Sequence, residues 1–107
     1  MEEKVRRGRL YDFYGELLSG RQRQIYEYYV IDDLSMTEIA DEMGMTKQGV
    51  SDHIKRITAS MDEYESALHL CDRFDRIGSR LDEIARMAGE TGVNDIVKLV
   101  DEISEEL

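Results

Sequence analysis

Six side chains between positions 47 and 56 have the chemistry to address a nucleic acid. Lys47, Lys55 and Arg56 are cations suited to phosphate, and Lys55 or Arg56 can also meet guanine. Gln48 carries the amide that pairs with adenine, and Ser51 adds a hydroxyl beside it. Asp52 sits among them; it repels phosphate, although a carboxylate can accept from cytosine N4. Three cations around one central anion make a thin electrostatic footprint, and an ordinary solvated helix face has the same composition.

Other chemistries find little support. His53, His69 and Cys71 do not form a metal set, because His69-x-Cys71 has no second pair at ligand spacing. His53 flanks an apolar face and reads as a packing or hydrogen-bonding histidine. Cys71 has no partner for a nucleophilic dyad. The carboxylates are scattered and no glycine-rich phosphate loop occurs, so neither an enzyme nor a cofactor is expected.

The elements that must position residues 47–56 form a helix-turn-helix over Ser35–Ile57. Ser35 and Glu38 make an S-x-x-E capping box, with Ile39, Ala40 and Met43 following at helical spacing. Gly44 stops that helix because it tolerates positive φ. Met45 plugs the corner and Thr46 caps the second helix. Val50, Ile54 and Ile57 share one face, which turns Gln48, Ser51, Asp52, Lys55 and Arg56 outward. Small Ala40 lets the helices cross closely, and packing against the first helix is the expected reason for Gly49. Motifs of this class place the second helix in a DNA major groove.

Upstream, Leu10, Phe13, Tyr14 and Leu17 predict a helix over about 4–18. Arg6, Arg7 and Arg9 beside the aromatics have the composition of a nucleic-acid arm with stacking residues. The helical period assigns the aromatics to the core instead and leaves the arginines in solvent. Ser19 and Gln22 form a second capping box, opening a helix to about Ile31. Its inner face is Ile25, Tyr28 and Tyr29, with Tyr26 outward. Asp32 and Asp33 end it before Leu34.

Downstream, the stripe 50, 54, 57, 61, 64, 68 extends the second motif helix to Leu68. A second stripe, Leu70, Phe74, Ile77, Leu81, Ile84 and Ala88, is out of phase with the first, which predicts a break between Leu68 and Leu70, and Gly78 loosens it. Gly89 and Gly92 precede a last amphipathic helix with Val93, Ile96, Val97, Val100, Ile103 and Leu107. Two parts follow: a helix-turn-helix domain over 1–68 and an acidic helical extension over 69–107. The apolar faces exceed what one small core can absorb, so the last two stripes are expected to pair between chains as a homodimer.

Composition bounds this reading. The 107 residues contain no proline, fitting an all-α chain, and the formal net charge is −10. Residues 1–24 hold six Lys/Arg against four Asp/Glu, 25–57 three against seven, and 58–107 five against thirteen. The acidity is thus mostly C-terminal, and it opposes general approach to DNA. One cysteine cannot close an internal disulfide. With no signal peptide and no apolar run near the ~20 residues that span a bilayer, a cytoplasmic protein without membrane insertion is expected.

The run LYDFYGELLSGRQRQIYEYYVIDDLSMTEIADEMGMTKQGVSDHIKR resembles the YlxM family of small bacterial helix-turn-helix proteins over about Leu10–Leu68. Its most specific parts are the aromatic block Leu10–Leu18, the Arg21-Gln22-Arg23 entry and the run Asp33–Arg56. The motif also resembles region 4 of bacterial sigma factors and the LuxR-type motif. Gly49 stands where the family pattern has alanine. The resemblance implies an all-α, sigma region 4-like bundle with C-terminal amphipathic helices. It further implies a regulatory accessory of the signal recognition particle pathway, with genes beside those of the particle's GTPase or its receptor. Such an accessory would set Arg6, Arg7, Arg9, Arg21 and Arg23 against particle RNA, and the acidic C-terminal helices against the particle's protein. The alternative is a sequence-specific DNA-binding transcriptional regulator using Lys47, Gln48, Ser51, Lys55 and Arg56.

Overall fold

The structure, a computed structural model, describes residues 2–106 and is all-α over them. Its helices are α1 (Glu3–Tyr14), α2 (Gly20–Val30), α3 (Met36–Met43), α4 (Lys47–Leu68), α5 (Leu70–Thr91) and α6 (Asn94–Glu106). A single 3-10 turn, Gly15–Leu17, follows α1. The chain forms two compact units, Met1–His69 and Leu70–Leu107.

Local sequence sets the helix ends in the first unit. The Ser19 hydroxyl accepts from the Gln22 N–H while the Gln22 side chain accepts from the Ser19 N–H, so two orphan donors of α2 are satisfied reciprocally. Ser35 and Glu38 do the same for α3. Gly44 ends α3 at φ 63°, and the Met45 N–H reaches back to the Ala40 carbonyl, 3.0 Å away. Thr46 then caps α4 by accepting from the Gly49 N–H at 3.0 Å. Asp33 takes the left-handed conformation after α2 at φ 56°, which Asp tolerates better than most residues.

The core of this unit gathers Leu10, Tyr11, Tyr14, Leu18, Ile25, Tyr26, Ile39, Ala40, Val50, Ile54, Ile57 and Met61. The α4 stripe is its spine, since α1, α2 and α3 each pack on α4. Each aliphatic side chain fully buried there contributes about 1.5–3 kcal/mol. Tyr26, expected outward, is completely buried, while Tyr28 and Tyr29 are only half-buried. The reason is that α2 packs on α1, α3 and α4 together, so its buried arc is wider than one stripe. The Tyr26 hydroxyl finds the Thr58 hydroxyl at 2.7 Å, and Thr58 in turn donates to the Ile54 carbonyl.

Leu17 also departs from expectation. The backbone tightens at Gly15–Leu17, Leu17 turns out to 58% exposure, and Tyr11 and Leu18 take the inner positions. A side chain at Gly15 would meet the Tyr11 ring at 2.7 Å, so glycine is what lets that ring lie against the chain. Gly49 has a local cause as well. A Cβ there would lie 3.0 Å from the capping Thr46 hydroxyl and 3.6 Å from the Met45 methyl, and no atom of α3 comes closer. Met43 is half-buried, and the α4 stripe fades at its end, with Leu68 exposed.

His69, at φ 56°, caps α4 in the left-handed conformation, and α5 begins at the next residue. That is the break implied by the phase slip between the stripes. In the second unit α5 runs through Gly78 without interruption, and α6 packs back on it within the chain after a turn at Gly92, φ 76°. The two stripes therefore meet each other first inside one chain. Leu81, Ala88 and Val100 are buried, whereas Ile77, Ile84, Ile96 and Ile103 stay exposed. Leu107 lies outside the described residues.

Candidate nucleic-acid interface

The N-cap at Thr46 and the buried stripe Val50–Ile54–Ile57 fix the rotation of α4, and the rest of its surface follows. Lys47, Gln48, Lys55 and Arg56 are exposed, and Ser51 is half-buried at the edge. Asp52 is exposed among them and accepts from the Gln48 side-chain amide at 3.0 Å, an i,i+4 pair along the helix. This bond occupies one of the two amide hydrogens of Gln48 and holds its side chain along the helix. Asp52 keeps its negative charge in this bond and stands among the cations of the face. Lys47, Lys55 and Arg56 make no ion pair among the described residues.

The arginines of α1 are differently placed. Arg6 donates to Glu3 at 2.8 Å and to Asp62 on α4 at 2.6 Å. Arg7 donates to Glu3 at 2.9 Å and to the Tyr29 hydroxyl at 3.1 Å. The Arg9 guanidinium lies over the Phe13 ring, 5.2 Å from its centroid. Lys4 pairs with Asp33 and also lies over the Tyr29 ring. Hydrogen bonding from Arg6, then the charges of Arg6 and Arg7, holds the Glu3 carboxyl down at about 2. The same bonds to Glu3 and Asp62 raise the Arg6 pKa further. Lys4, Arg6 and Arg7 thus tie α1 to Asp33, to α4 and to α2, and are not a free arm. Arg21 and Arg23 are exposed on α2, and the Tyr11 hydroxyl, followed by the charge of Glu27, raises the Arg23 pKa. Glu27 itself accepts from the Tyr11 hydroxyl at 2.6 Å.

The sequence thus placed the α4 face well and missed the partners of the α1 arginines. Glu3 was legible, lying three and four residues before Arg6 and Arg7 on one helix face. Asp62 was not, since 56 residues separate it from Arg6. Among the described residues no cluster of His, Cys, Asp and Glu is placed to hold a metal ion, and no helix is long and apolar enough to cross a membrane.

A capped α3, a left-handed glycine turn and a longer α4 with its outer face exposed define a helix-turn-helix protein. Comparison with known proteins specifies it. The family model UPF0122, described as "Putative helix-turn-helix protein, YlxM / p13 like", matches residues 1–103. The UPF0122 protein of Shouchella clausii (strain KSM-K16) is 38% identical over 104 residues, covering 96% of this chain and 95% of that one. The UPF0122 protein of Bacillus mycoides (strain KBAB4) is 38% identical over 110 residues, covering 100% and 98%. That of Thermoanaerobacter sp. (strain X514) is 36% identical over 102 residues, covering 92% and 87%. The chain belongs to this YlxM-like UPF0122 family.

Proposed function

We propose that this chain is a cytoplasmic regulatory accessory of the signal recognition particle pathway, acting through protein or RNA contacts. The observation that carries the choice over a DNA-binding role is the disposition of charge. Arg6 and Arg7 are consumed in holding α1, and Asp52 interrupts the cations of α4. What is left free, Lys47, Lys55 and Arg56 with Arg21 on α2, suits a short contact with a folded RNA or an acidic protein surface better than a long run of DNA phosphates. The acidic second unit gives the chain a face for a basic protein, five Lys/Arg standing against ten Asp/Glu over residues 70–107. Family resemblance supplies the pathway.

A second reading, a sequence-specific DNA-binding regulator, is favoured by one observation: the exposed face of α4 in a well-formed helix-turn-helix. The two separate in one experiment. GTPase activity of the particle protein with its receptor and RNA is measured with and without the chain, beside a DNA gel shift. The accessory reading expects altered GTPase activity or complex formation and poor DNA binding at physiological salt. Unchanged GTPase activity and complex formation, with tight site-specific DNA binding lost in Lys55→Ala/Arg56→Ala, would overturn it.

A further inference from the structure

The second unit is a two-helix hairpin with a surplus of apolar surface on one side. Two helices cannot enclose a core, and units below about 40 residues usually need a disulfide, a metal or oligomerisation to be stable. This one spans residues 70–107 and has Leu81, Ala88 and Val100 as its buried apolar side chains. Ile77, Ile84 and Met87 of α5 are 42–54% exposed, and Ile96, Leu99 and Ile103 of α6 are 43–59% exposed. They belong to one surface: Ile84, Met87 and Ile96 line a shared apolar cleft with Ala88 and Thr91. Helical spacing carries the face on to Ile77 along α5 and to Leu99 and Ile103 along α6. At roughly 80 Å² per half-exposed side chain the face presents about 500 Å², well over half of the ~800 Å² per partner that a stable interface covers.

The rims of this face have opposite charge. Arg73, Arg76 and Arg80 surround Ile77 on the α5 side. On the α6 side Asp95 and Glu102 lie one helical turn from Leu99, and Glu106 lies three residues beyond Ile103. The antiparallel hairpin turning at Gly92 sets Arg80 level with Glu106 at the carboxylate end of α6, and Arg76 and Arg73 lie one to two turns beyond it. We propose that a second copy of this chain covers the face, making a two-fold four-helix bundle in which each α5 lies on α6 of the partner subunit. A two-fold axis along the helices brings the arginine rim of one copy against the carboxylate rim of the other, twice. The other two-fold face-to-face arrangement, α5 on α5, runs those helices antiparallel, carries the arginine end of one copy to the far end of the other, and so leaves the arginines without the partner's carboxylates. Charge selects the first. This inference does not depend on the pathway proposed above.

Light scattering and sedimentation of the full chain between 1 and 100 µM test it. A dimer mass at 10 µM is expected. Ile84→Glu, at a position already half in solvent, should keep the helical circular dichroism and weaken dimerisation at least 100-fold. Arg73→Glu/Arg80→Glu and Glu102→Lys/Glu106→Lys should each weaken it about tenfold or more. An equimolar mixture of those two charge-reversed chains should recover a dimer, because each then offers the other complementary rims. A monomer at 100 µM overturns the proposal and leaves the face to another partner. A dimer indifferent to Ile84→Glu, or to both charge reversals, overturns it too, because the second copy then sits elsewhere.

Discussion

The hydroxyl pair Tyr26–Thr58 joins α2 to the middle of α4, and it lends itself to a double-mutant cycle. Both side chains are inaccessible, at 0% and 4% exposure, and the chain of bonds runs Tyr26 to Thr58 at 2.7 Å and Thr58 to the Ile54 carbonyl at 2.7 Å. Tyr26→Phe removes one bond but leaves the Thr58 hydroxyl its carbonyl partner, so the loss should be about 1 kcal/mol. Thr58→Val leaves the Tyr26 hydroxyl buried with nothing to meet, which should cost about 2 kcal/mol. The double variant has no stranded polar group and should cost less than the two losses added, giving a coupling of about 1–2 kcal/mol. Urea unfolding read by tyrosine near-ultraviolet dichroism isolates the first unit, because all six tyrosines lie within residues 11–64 and the chain has no tryptophan. Additive losses, or a Thr58→Val loss smaller than that of Tyr26→Phe, would refute the claim that the tyrosine hydroxyl depends on Thr58.

Val50 is fully buried at the crossing of α3 and α4, so Val50→Asp should cost about 3–5 kcal/mol through an unpaired buried charge; a near-wild-type melting temperature would contradict the placement of α4. Glu3 is held at about 2, below its ordinary 4.5, so its contribution is present above 4.5 and is lost as pH falls through about 2. The urea midpoint of the wild type should therefore drop more steeply over that window than the midpoint of Glu3→Gln, and parallel curves would count against the Arg6–Glu3–Arg7 tie. Asp52→Ala removes the anion at the centre of the α4 face and frees the Gln48 amide. At low salt it should tighten RNA or DNA binding about fivefold, near the ~1 kcal/mol of one solvent-screened charge, and unchanged binding would mean that phosphate does not approach this face.

The helix-turn-helix was legible because its determinants are local. Two capping boxes, a glycine in the left-handed turn and a threonine cap lie within four residues of the groups they satisfy, and each appears in the structure. Period alone also gave α4 its full length to Leu68 and the break before Leu70. It failed where a helix has more than one neighbour. A single stripe describes a helix packed on one side, whereas α2 contacts three helices and buries Tyr26 in addition to Ile25. Leu17 fails for a different reason, because one 3-10 turn advances the chain by a different angle per residue and ends the phase that began at Leu10.

The candidate site divides along the same line. Exposure of Lys47, Gln48, Lys55 and Arg56 is the complement of the Val50–Ile54–Ile57 stripe, so whatever fixed one face fixed the other. The basic appearance of residues 4–9 is a property of composition, and composition does not say whether a cation points at solvent or at Asp33 and Asp62, which arrive from other elements. A surface arginine in an ion pair gains little stability from it, about 0–1 kcal/mol, yet for a ligand that small sum matters. Each phosphate contact made by Arg6 must first displace Glu3 and Asp62, so the contact starts from a deficit that Lys55 and Arg56 do not carry. The difference separates the two sets of cations more sharply than their number does: a ligand that engaged Arg6 or Arg7 would first have to loosen the ties that hold α1, and one that engaged Lys55 or Arg56 would not.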